Sequence, residues 1–407
     1  MIICKIWDAE YPWDVRVEKV ARTLTMCGHT VHLITRNRDA RQIHEVLPEA
    51  TVHRMRPLFG SRGRLNDWSM FPAFFNPRWA RLIENTAVNT RADIILCRDL
   101  PLAPTAIWIS RRLGLPVILD MAENYPAMIQ AVWDSQRHHL ADWLVRNPRV
   151  VAAVERWVVQ RVDRIIVVVE ESRDRLVTLG VPMERITVVS NTPSVKRLEE
   201  TPSRGPRSEG GPLRLAYLGL LEVPRGIGVF LDAVGHLKQF GVPVQVDIYG
   251  SGRDAEFFQN RARDLGLDVV TFHGFLPYPE AVKAVANADV GVVPHFADEG
   301  WNTTIPNKLF DYMAAGLPVL SSDARPCARI IRSTDCGEVF RDRDCEDLVR
   351  AVQRLVDPKR RAACGAAGRR AVAELYNWEQ DGQRLLEAVE VARQGISARE
   401  TQRKLKG

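Results

Sequence analysis

An alternation of short apolar runs with helical patterns, played through twice and interrupted once, limits the fold of this chain more than any other feature. In the first pass Met1–Trp7, Thr30–Thr35, Ile94–Cys97, Val117–Asp120 and Ile165–Val169 read as buried strands, since runs of about four to seven apolar residues suit strands covered on both faces. Between them Asp14–Cys27 and Leu102–Leu113 carry helical periodicity and stop at Gly28 and Gly114, as helices do. Strand, helix, strand in succession implies a parallel sheet with right-handed crossovers. Residues 192–213 then break the pattern with Pro, Gly, Ser and charge, the composition of a linker. The second pass follows: strands Leu215–Leu218, Val244–Tyr249, Val269–Phe272, Val290–Pro294 and Val319–Ser321, with helices Gly228–Phe240, Asp254–Leu265, Tyr278–Asn287 and Asn307–Ala315 between.

The 407 residues exceed one ordinary core. The expected division is a first domain over 1–191, a linker over 192–213, a second domain over 214–377, a last helix (Trp378–Gln394) within 378–396, and a basic tail over 397–407. Two doubly wound domains facing each other bind ligands in a cleft at the C-terminal ends of their strands. Two ligands meeting there suggests group transfer.

Composition excludes several classes. With 46% hydrophobic and 26% charged residues the chain is neither disordered nor collagen-like. The densest apolar run, Ile165–Val169, is far short of a membrane span. Met1–Asp8 lacks the basic and apolar segments of a signal peptide, so a cytoplasmic location is expected. Seven scattered cysteines without a C-x-x-C spacing argue against a disulfide framework or a zinc site and for buried small apolar residues. The net charge of +6 divides unevenly, +5 in residues 1–190 and +1 afterwards, and residues 51–100 alone hold eight Arg against four acids. That local excess suits an anionic substrate or lipid surface better than nucleic acid, which needs a broader basic face.

The densest polar chemistry lies in Asn302-Thr-Thr-Ile-Pro-Asn-Lys-Leu-Phe-Asp-Tyr-Met-Ala-Ala-Gly-Leu-Pro-Val-Leu320. Two threonines and a proline suit a helix start, and the unpaired N–H groups there attract an anion. Lys308 in the first turn can neutralise a phosphate, and Asp311, three residues on, can accept from ribose hydroxyls. A capped helix with an i,i+3 ion pair is the structural alternative.

This segment resembles the donor-binding motif of family 4 retaining glycosyltransferases of the GT-B fold, in the form P-N-K, an acid, then Y-M-A-x-G-x-P-V. The resemblance implies an α/β chain of two facing Rossmann-like domains. It also implies a metal-independent, hexosyltransferase-like enzyme moving a sugar from a nucleotide-diphosphate sugar to a hydroxyl. Of the family's two glutamates, the ribose-holding one matches Asp311 and the other falls on Thr303. By the same resemblance Thr304, Ile305 and Asn307 line the donor.

Three further segments agree in order. Tyr217-Leu-Gly-Leu-Leu-Glu-Val-Pro-Arg-Gly226 is similar to the family's G-x-x-x-x-x-[KR]-G loop, which implies Gly219, Gly226 and an Arg225 gripping the diphosphate; Leu220 stands where a second Arg is often found. Asp247-Ile-Tyr-Gly-Ser-Gly252 is similar to a strand-end loop with Gly250 and Gly252 at the ligand. Val269-Thr-Phe-His-Gly-Phe-Leu-Pro277 resembles a segment bordering the nucleobase at Phe275 and Leu276, with His273 read either as part of it or as a satisfied core histidine.

In the first domain, Tyr11–Ala21 with Gly28-His-Thr-Val31 resembles the family's first loop and helix. Cys97–Leu102 and Leu119–Pro126 sit where relatives carry H-D-x-P and D-x-H-E-x-Y-P; Asp99, Asp120, Glu123, Tyr125 and Pro126 are retained, while Arg98 and Ala122 replace the histidines. Arg185–Asn191 resembles the hinge strand. Asp14, Arg16, Asp99, Glu123 and Tyr125 are therefore the acceptor-side candidates, against capping acids and a surface arginine as the structural reading.

Residues 54–82 interleave Arg54, Arg56, Arg62, Arg64, Arg78 and Arg81 with Phe59, Trp68, Phe71, Phe74, Phe75 and Trp79. Three readings remain open: an insertion packed on the first sheet, an anionic membrane surface, or nucleic-acid stacking. A second segment, Met128–Trp157, with Trp133, Trp143 and His138-His139, reads as helices over the acceptor side. The expected function is a retaining glycosyltransferase acting in cell-surface glycan synthesis on a lipid-linked or polysaccharide acceptor, peripheral on the inner face of the membrane. Its donor is a nucleotide sugar, UDP-linked before GDP-linked, with no cofactor, metal or nucleic acid. A GT-B-type nucleotide-sugar epimerase and an inactive donor-binding homologue are the alternatives.

Overall fold

The structure, a computed structural model, describes residues 1–12, 14–71, 73–135, 147–196 and 211–404. The chain separates into two compact units, residues 1–189 with 382–407, and residues 190–381. Each is built on its own sheet, as the twofold alternation predicts.

In the first unit eight strands run in the order β3-β4-β2-β1-β5-β6-β7-β8. They are β1 Ile2–Ile6, β2 Thr30–Thr35, β3 His44–Val46, β4 Thr51–Arg54, β5 Ile94–Arg98, β6 Val117–Met121, β7 Arg164–Val167 and β8 Ile186–Val188. Every neighbouring pair is parallel except β3 with β4. The apolar runs of β1, β5, β6 and β7 are covered on both faces, which explains their unbroken hydrophobicity. Short, polar β3 forms the sheet edge and β4 lies between it and β2; in runs of three and four residues periodicity carries little signal.

The helices of this unit are α1 Val15–Met26, α2 Gly63–Ser69, α3 Pro77–Thr90, α4 Ala103–Leu113, α5 Tyr125–Ser135, α6 Pro148–Val159 and α7 Glu170–Thr178. Asp14 caps α1 by accepting from the Val17 N–H at 2.8 Å. Asn76 and Asn147 cap α3 and α6, each followed by Pro in the first turn.

The stretch 54–82 divides in two. Trp79 is fully buried in the core, and Arg54 is buried with its guanidinium on the carbonyls of Tyr11 and Gln42 and on the Glu45 carboxylate. These two serve the fold, in keeping with the reading of an insertion packed on the first sheet. Trp68, Phe71 and Phe75 are exposed.

The second unit carries β9 Leu213–Leu218, β10 Val244–Tyr249, β11 Val270–Gly274, β12 Val290–Val293, β13 Val319–Ser322 and β14 Gly337–Phe340, all parallel, in the order β11-β10-β9-β12-β13-β14. This is the doubly wound arrangement in which the winding direction reverses between the first and fourth strands, here β9 and β12. Its helices are α8 Ile227–Gln239, α9 Ala255–Asp264, α10 Tyr278–Val285, α11 Asn307–Ala314, α12 Arg325–Thr334, α13 Cys345–Arg354 and α14 Pro358–Glu374. Phe230, Leu237, Phe258 and Leu348 fill the core against Leu215, Val246 and Val292.

The last helix, α15 Trp378–Lys404, continues beyond the expected Gln394 through most of the stretch read as a tail. It begins in the second unit and from Gly382 belongs to the first. Its start is strapped to the early linker: Trp378 N–H donates to Pro193 O at 2.8 Å and the Thr192 hydroxyl to Asp381 at 2.5 Å. Most of the expected linker, residues 197–210, lies outside the described residues, as do Trp143 and His138-His139. All seven cysteines are free, five of them buried. Among the described residues no helix is long and apolar enough to cross a membrane.

Candidate active site

In the second unit the candidate residues converge on the reversal point, where β9 and β12 end. Gly219 follows β9 with φ +139°, and a Cβ there would stand 2.9 Å from the Lys308 Nζ. Gly250, at φ +141° after β10, packs so closely that a Cβ would meet the Gly219 carbonyl oxygen at 1.8 Å. At Gly252 a Cβ would meet the Leu221 carbonyl oxygen at 2.3 Å. Three of the predicted glycines thus let two strand-end loops and a lysine share one small space. Gly226, behind Arg225, lies under the Pro294 carbonyl, 1.7 Å from where its Cβ would be.

Lys308, in the first turn of α11, is 6% exposed. Its ammonium lies 3.8 Å from the centre of the Tyr217 ring and donates to Nε2 of His295 at 3.2 Å. Burial first, and then the Arg225 guanidinium, hold Lys308 well below the ordinary lysine range. Burial, Lys308 and Arg225 likewise push His295 well below the ordinary imidazole range. His295 is therefore neutral, with Nε2 accepting and Nδ1 carrying the proton. That Nδ1 is buried without a hydrogen-bond partner, as is Nε of Arg225, whose nearest acid, Glu222, is 3.7 Å away. Arg225 lies over Trp301 at 5.2 Å, and Trp301 packs on His295 at 4.0 Å. The buried Lys308 and His295 N–H, with the partly exposed Arg225 beside them and one acid, Glu222, near it, form a site with an excess of positive charge, fitted to an anion.

The other donor-side residues fall into place around this core or depart from expectation. Pro306, rather than either threonine, holds the N-cap position of α11. The Thr303 hydroxyl donates back to the carbonyls of Glu299, at 2.7 Å, and Gly300, at 3.2 Å. Thr304 and Ile305 are buried and Asn307 is exposed. Lys308 and Asp311 go separate ways, which corrects the ion-pair alternative: the buried Asp311 carboxylate accepts from the Tyr278 hydroxyl at 2.6 Å. Phe275 is exposed and Leu276 half-buried, directly after edge strand β11. His273 is not a core residue; it sits on that edge strand, stacked on Tyr249 at 4.4 Å and paired with Asp247 at 2.7 Å. Leu220 is 48% exposed.

The acceptor-side candidates in the first unit form a different kind of cluster. Arg16 is not a surface arginine: it is 3% exposed, grips Asp120 at 2.6–3.2 Å and donates to Val189 O at 2.9 Å. Burial would raise the Asp120 pKa, but Arg16, Arg98 and Lys5 outweigh it and hold the carboxyl well below the usual range. Lys5 itself is driven down to about 8 by burial, Asp120 notwithstanding. Asp99 sits at φ +63°, paired with Arg98 at 3.2 Å and accepting from Ala122 N–H at 3.3 Å. Such backbone strain in a non-glycine residue often marks functional positions. Burial, helped by Asp120, raises the Asp99 pKa against Arg98, and burial with Asp99 raises that of the nearby Tyr125 hydroxyl. Glu123 is exposed and Asp14 is the α1 cap. Arg98 thus takes the place of one missing histidine as a buried charge partner rather than as a base.

Sequence reasoning missed His295, Trp301, Tyr217 and Tyr278. A histidine directly after an apolar strand, in Val292-Val-Pro-His295, was the available signal; the aromatics reach the site only through tertiary packing.

Two parallel α/β units, each with its cluster at the strand ends, define the GT-B class. Residues 14–192 match the family described as glycosyl transferase 4-like domain, and residues 212–358 match glycosyl transferases group 1. The chain belongs among the glycosyltransferases that this pair of domains describes. It is 25% identical over 294 residues to a glycogen synthase of Mycobacterium tuberculosis, covering 71% of this chain and 66% of that one. It is 27% identical over 176 residues to the putative colanic acid biosynthesis glycosyltransferase WcaL of Escherichia coli, covering 43% of each. The matched stretches span less than two thirds of either relative. HepE of Anabaena, solved in complex with UDP, superposes with a TM-score of 0.68 at 14% identity, over 96% of this chain and all of HepE.

Proposed function

We propose that the chain transfers a sugar, with retention of configuration, from a nucleotide-diphosphate sugar to a hydroxyl of a lipid-linked or polysaccharide acceptor in cell-surface glycan synthesis. One observation carries this reading: the buried Lys308 and His295 N–H and the partly exposed Arg225 converge beside the glycine-built crossing of two strand-end loops. An arrangement of that kind stabilises a departing diphosphate.

Retaining transfer at such a site uses no side-chain nucleophile. The C1–O bond to the diphosphate breaks as Arg225, Lys308 and the N–H groups at the start of α11 take up the growing charge. An oxygen of the leaving group accepts the proton of the attacking hydroxyl on the same face. The protein supplies charge and orientation. In this reading Asp311, whose carboxylate accepts from Tyr278, takes the ribose hydroxyls, and Phe275 and Leu276 border the base. These side-chain cations do the work a metal performs elsewhere, so chelation leaves turnover unchanged.

The UDP bound by HepE and the polysaccharide products named for glycogen synthase and WcaL support a UDP-sugar before a GDP-sugar and a glycan acceptor. A peripheral position on the inner face of the membrane accords with the exposed Trp68, Phe71 and Phe75. The test is incubation with UDP-, GDP- and ADP-sugars, read for slow hydrolysis, epimer or nothing, beside a thermal-shift panel of the same compounds. Hydrolysis with retained configuration supports the proposal. An epimer indicates an epimerase, and stabilisation without turnover an inactive donor-binding homologue, the reading that Thr303's inward-turned hydroxyl favours.

A further inference from the structure

On the first unit, α3, α4 and α6 enclose a groove of about 530 Å³ whose walls are mainly apolar. Phe75, Ile107, Trp108 and Trp157 line it, with Arg81 and Arg111 among them. Its aromatic walls are open to solvent: Phe75 is 73%, Trp108 48% and Trp157 37% exposed. Exposed aromatic surface of this kind usually marks a binding face.

Charge narrows the occupant. The three helices carry six arginines, two glutamates and no lysine or aspartate. Both glutamates are engaged, Glu84 with Arg112 at 3.1 Å and Glu155, buried, with Arg175 at 2.7 Å. The free balance is positive and made of guanidinium forks, which hold phosphate in pairs of hydrogen bonds. Trp108 and Trp157 each carry one guanidinium over a ring face, Arg112 at 4.9 Å and Arg161 at 4.7 Å, which leaves each one face at most for a stacked base; their exposed edges remain open to a flexible chain. Aromatic walls with arginines at the mouth are the chemistry of a membrane interface. In sequence the groove continues through Phe75 toward the exposed Phe71 and Trp68.

We propose that this groove seats a hydrocarbon chain of an anionic lipid, with the lipid phosphate on Arg81 and Arg111. The inference deepens the acceptor half of the proposed function and rests on it for purpose. Lipid binding itself needs no sugar donor, so the two can fail separately.

The test uses the full chain and vesicles of phosphatidylcholine alone or with about one third phosphatidylglycerol, some carrying brominated acyl chains. The expected results are sedimentation with the anionic vesicles only and quenching of tryptophan fluorescence by the brominated chains. Trp108→Ser should lose most of that quenching, and Arg81→Glu with Arg111→Glu should weaken vesicle binding by about tenfold or more. Trp108 and Arg111 lie on the outward side of α4, so circular dichroism and the UDP-induced thermal shift of the variants should match the parent. Three results overturn the proposal: no binding to anionic vesicles, equal binding to neutral ones, or binding and quenching untouched by these substitutions. Concentration-dependent self-association abolished by Trp108→Ser, without vesicle binding, would instead give the groove to a second copy of the chain.

Discussion

The Lys308 ammonium donates to Nε2 of His295 across 3.2 Å, in a space where both groups are buried and Arg225 is a third positive neighbour. A lysine kept at low pKa by burial and like charge regains its proton affinity when an anion arrives. Binding of UDP is therefore coupled to proton uptake. Affinity falls as pH rises through the free-protein pKa of Lys308, because above it the bound state holds a proton that the free state lacks. Calorimetry of UDP binding in a pH series below the ordinary lysine value, in buffers of different ionisation enthalpy, measures this directly. Zero uptake across that range would contradict it.

His295 holds Lys308 by accepting its hydrogen bond at 3.2 Å, beside offering its own unpaired N–H to the anion. His295→Leu removes the acceptor of a charged hydrogen bond, so kcat/KM for nucleotide-sugar hydrolysis should drop about tenfold to a hundredfold. His295→Gln, which keeps an acceptor oxygen, should recover much of the loss and alter the pH profile.

Lys308→Ala and Arg225→Ala should each lower turnover by about a hundredfold to a thousandfold, the scale of removing one group aimed at developing charge. Melting temperatures should hold, since neither side chain secures the core and deleting Lys308 removes a buried cation. Normal turnover in both variants would end the transferase reading.

Arg16→Ala should act on stability. It strips the buried Asp120 of its closest partner, at 2.6 Å, and leaves it only Arg98 at 3.7 Å and Lys5 at 3.9 Å, at a cost of about 3 kcal/mol, the low end for a broken buried pair. The exposed Glu123, replaced by Ala, should change stability by no more than about 0.5 kcal/mol. Denaturation of the two variants side by side tests the contrast.

Three imidazoles line up on β2, β3 and β4: Nδ1 of His32 is 3.0 Å from His53 and Nδ1 of His44 is 3.2 Å from it. Burial, then the neighbouring His32 and His44, hold His53 down at about 4, against an ordinary 6.5. Between those values the unfolded chain binds the proton that the folded chain refuses, so stability falls as pH drops from 6.5 to 4. His53→Asn should flatten that limb of a melting-temperature profile measured against pH.

Each feature that was legible in the sequence had a local cause. The apolar runs of β1, β5, β6, β7 and β9 announced strands because burial on both faces demands unbroken hydrophobicity. Gly219, Gly250 and Gly252 announced a close backbone approach because no other residue fits there. Strands β3 and β4 escaped notice, being short and polar. Arg16 and Arg54 looked like surface groups because nothing beside them in sequence shows Asp120, or the Tyr11 and Gln42 carbonyls, waiting in the fold.

The sequence alone thus determined two α/β units, most of their strands and the lysine, arginine and glycines of the candidate site, all properties of short stretches with their own period or spacing. Tertiary structure alone decided which side chains answer those charges. Lys308 turns to His295 and Tyr217 instead of Asp311, and Asp311 to Tyr278, because β9, β12 and α11 bring residues tens of positions apart within hydrogen-bonding reach. It also decided that the arginine-rich stretch splits between core and surface, since burial belongs to the packed sheet and not to the run of residues.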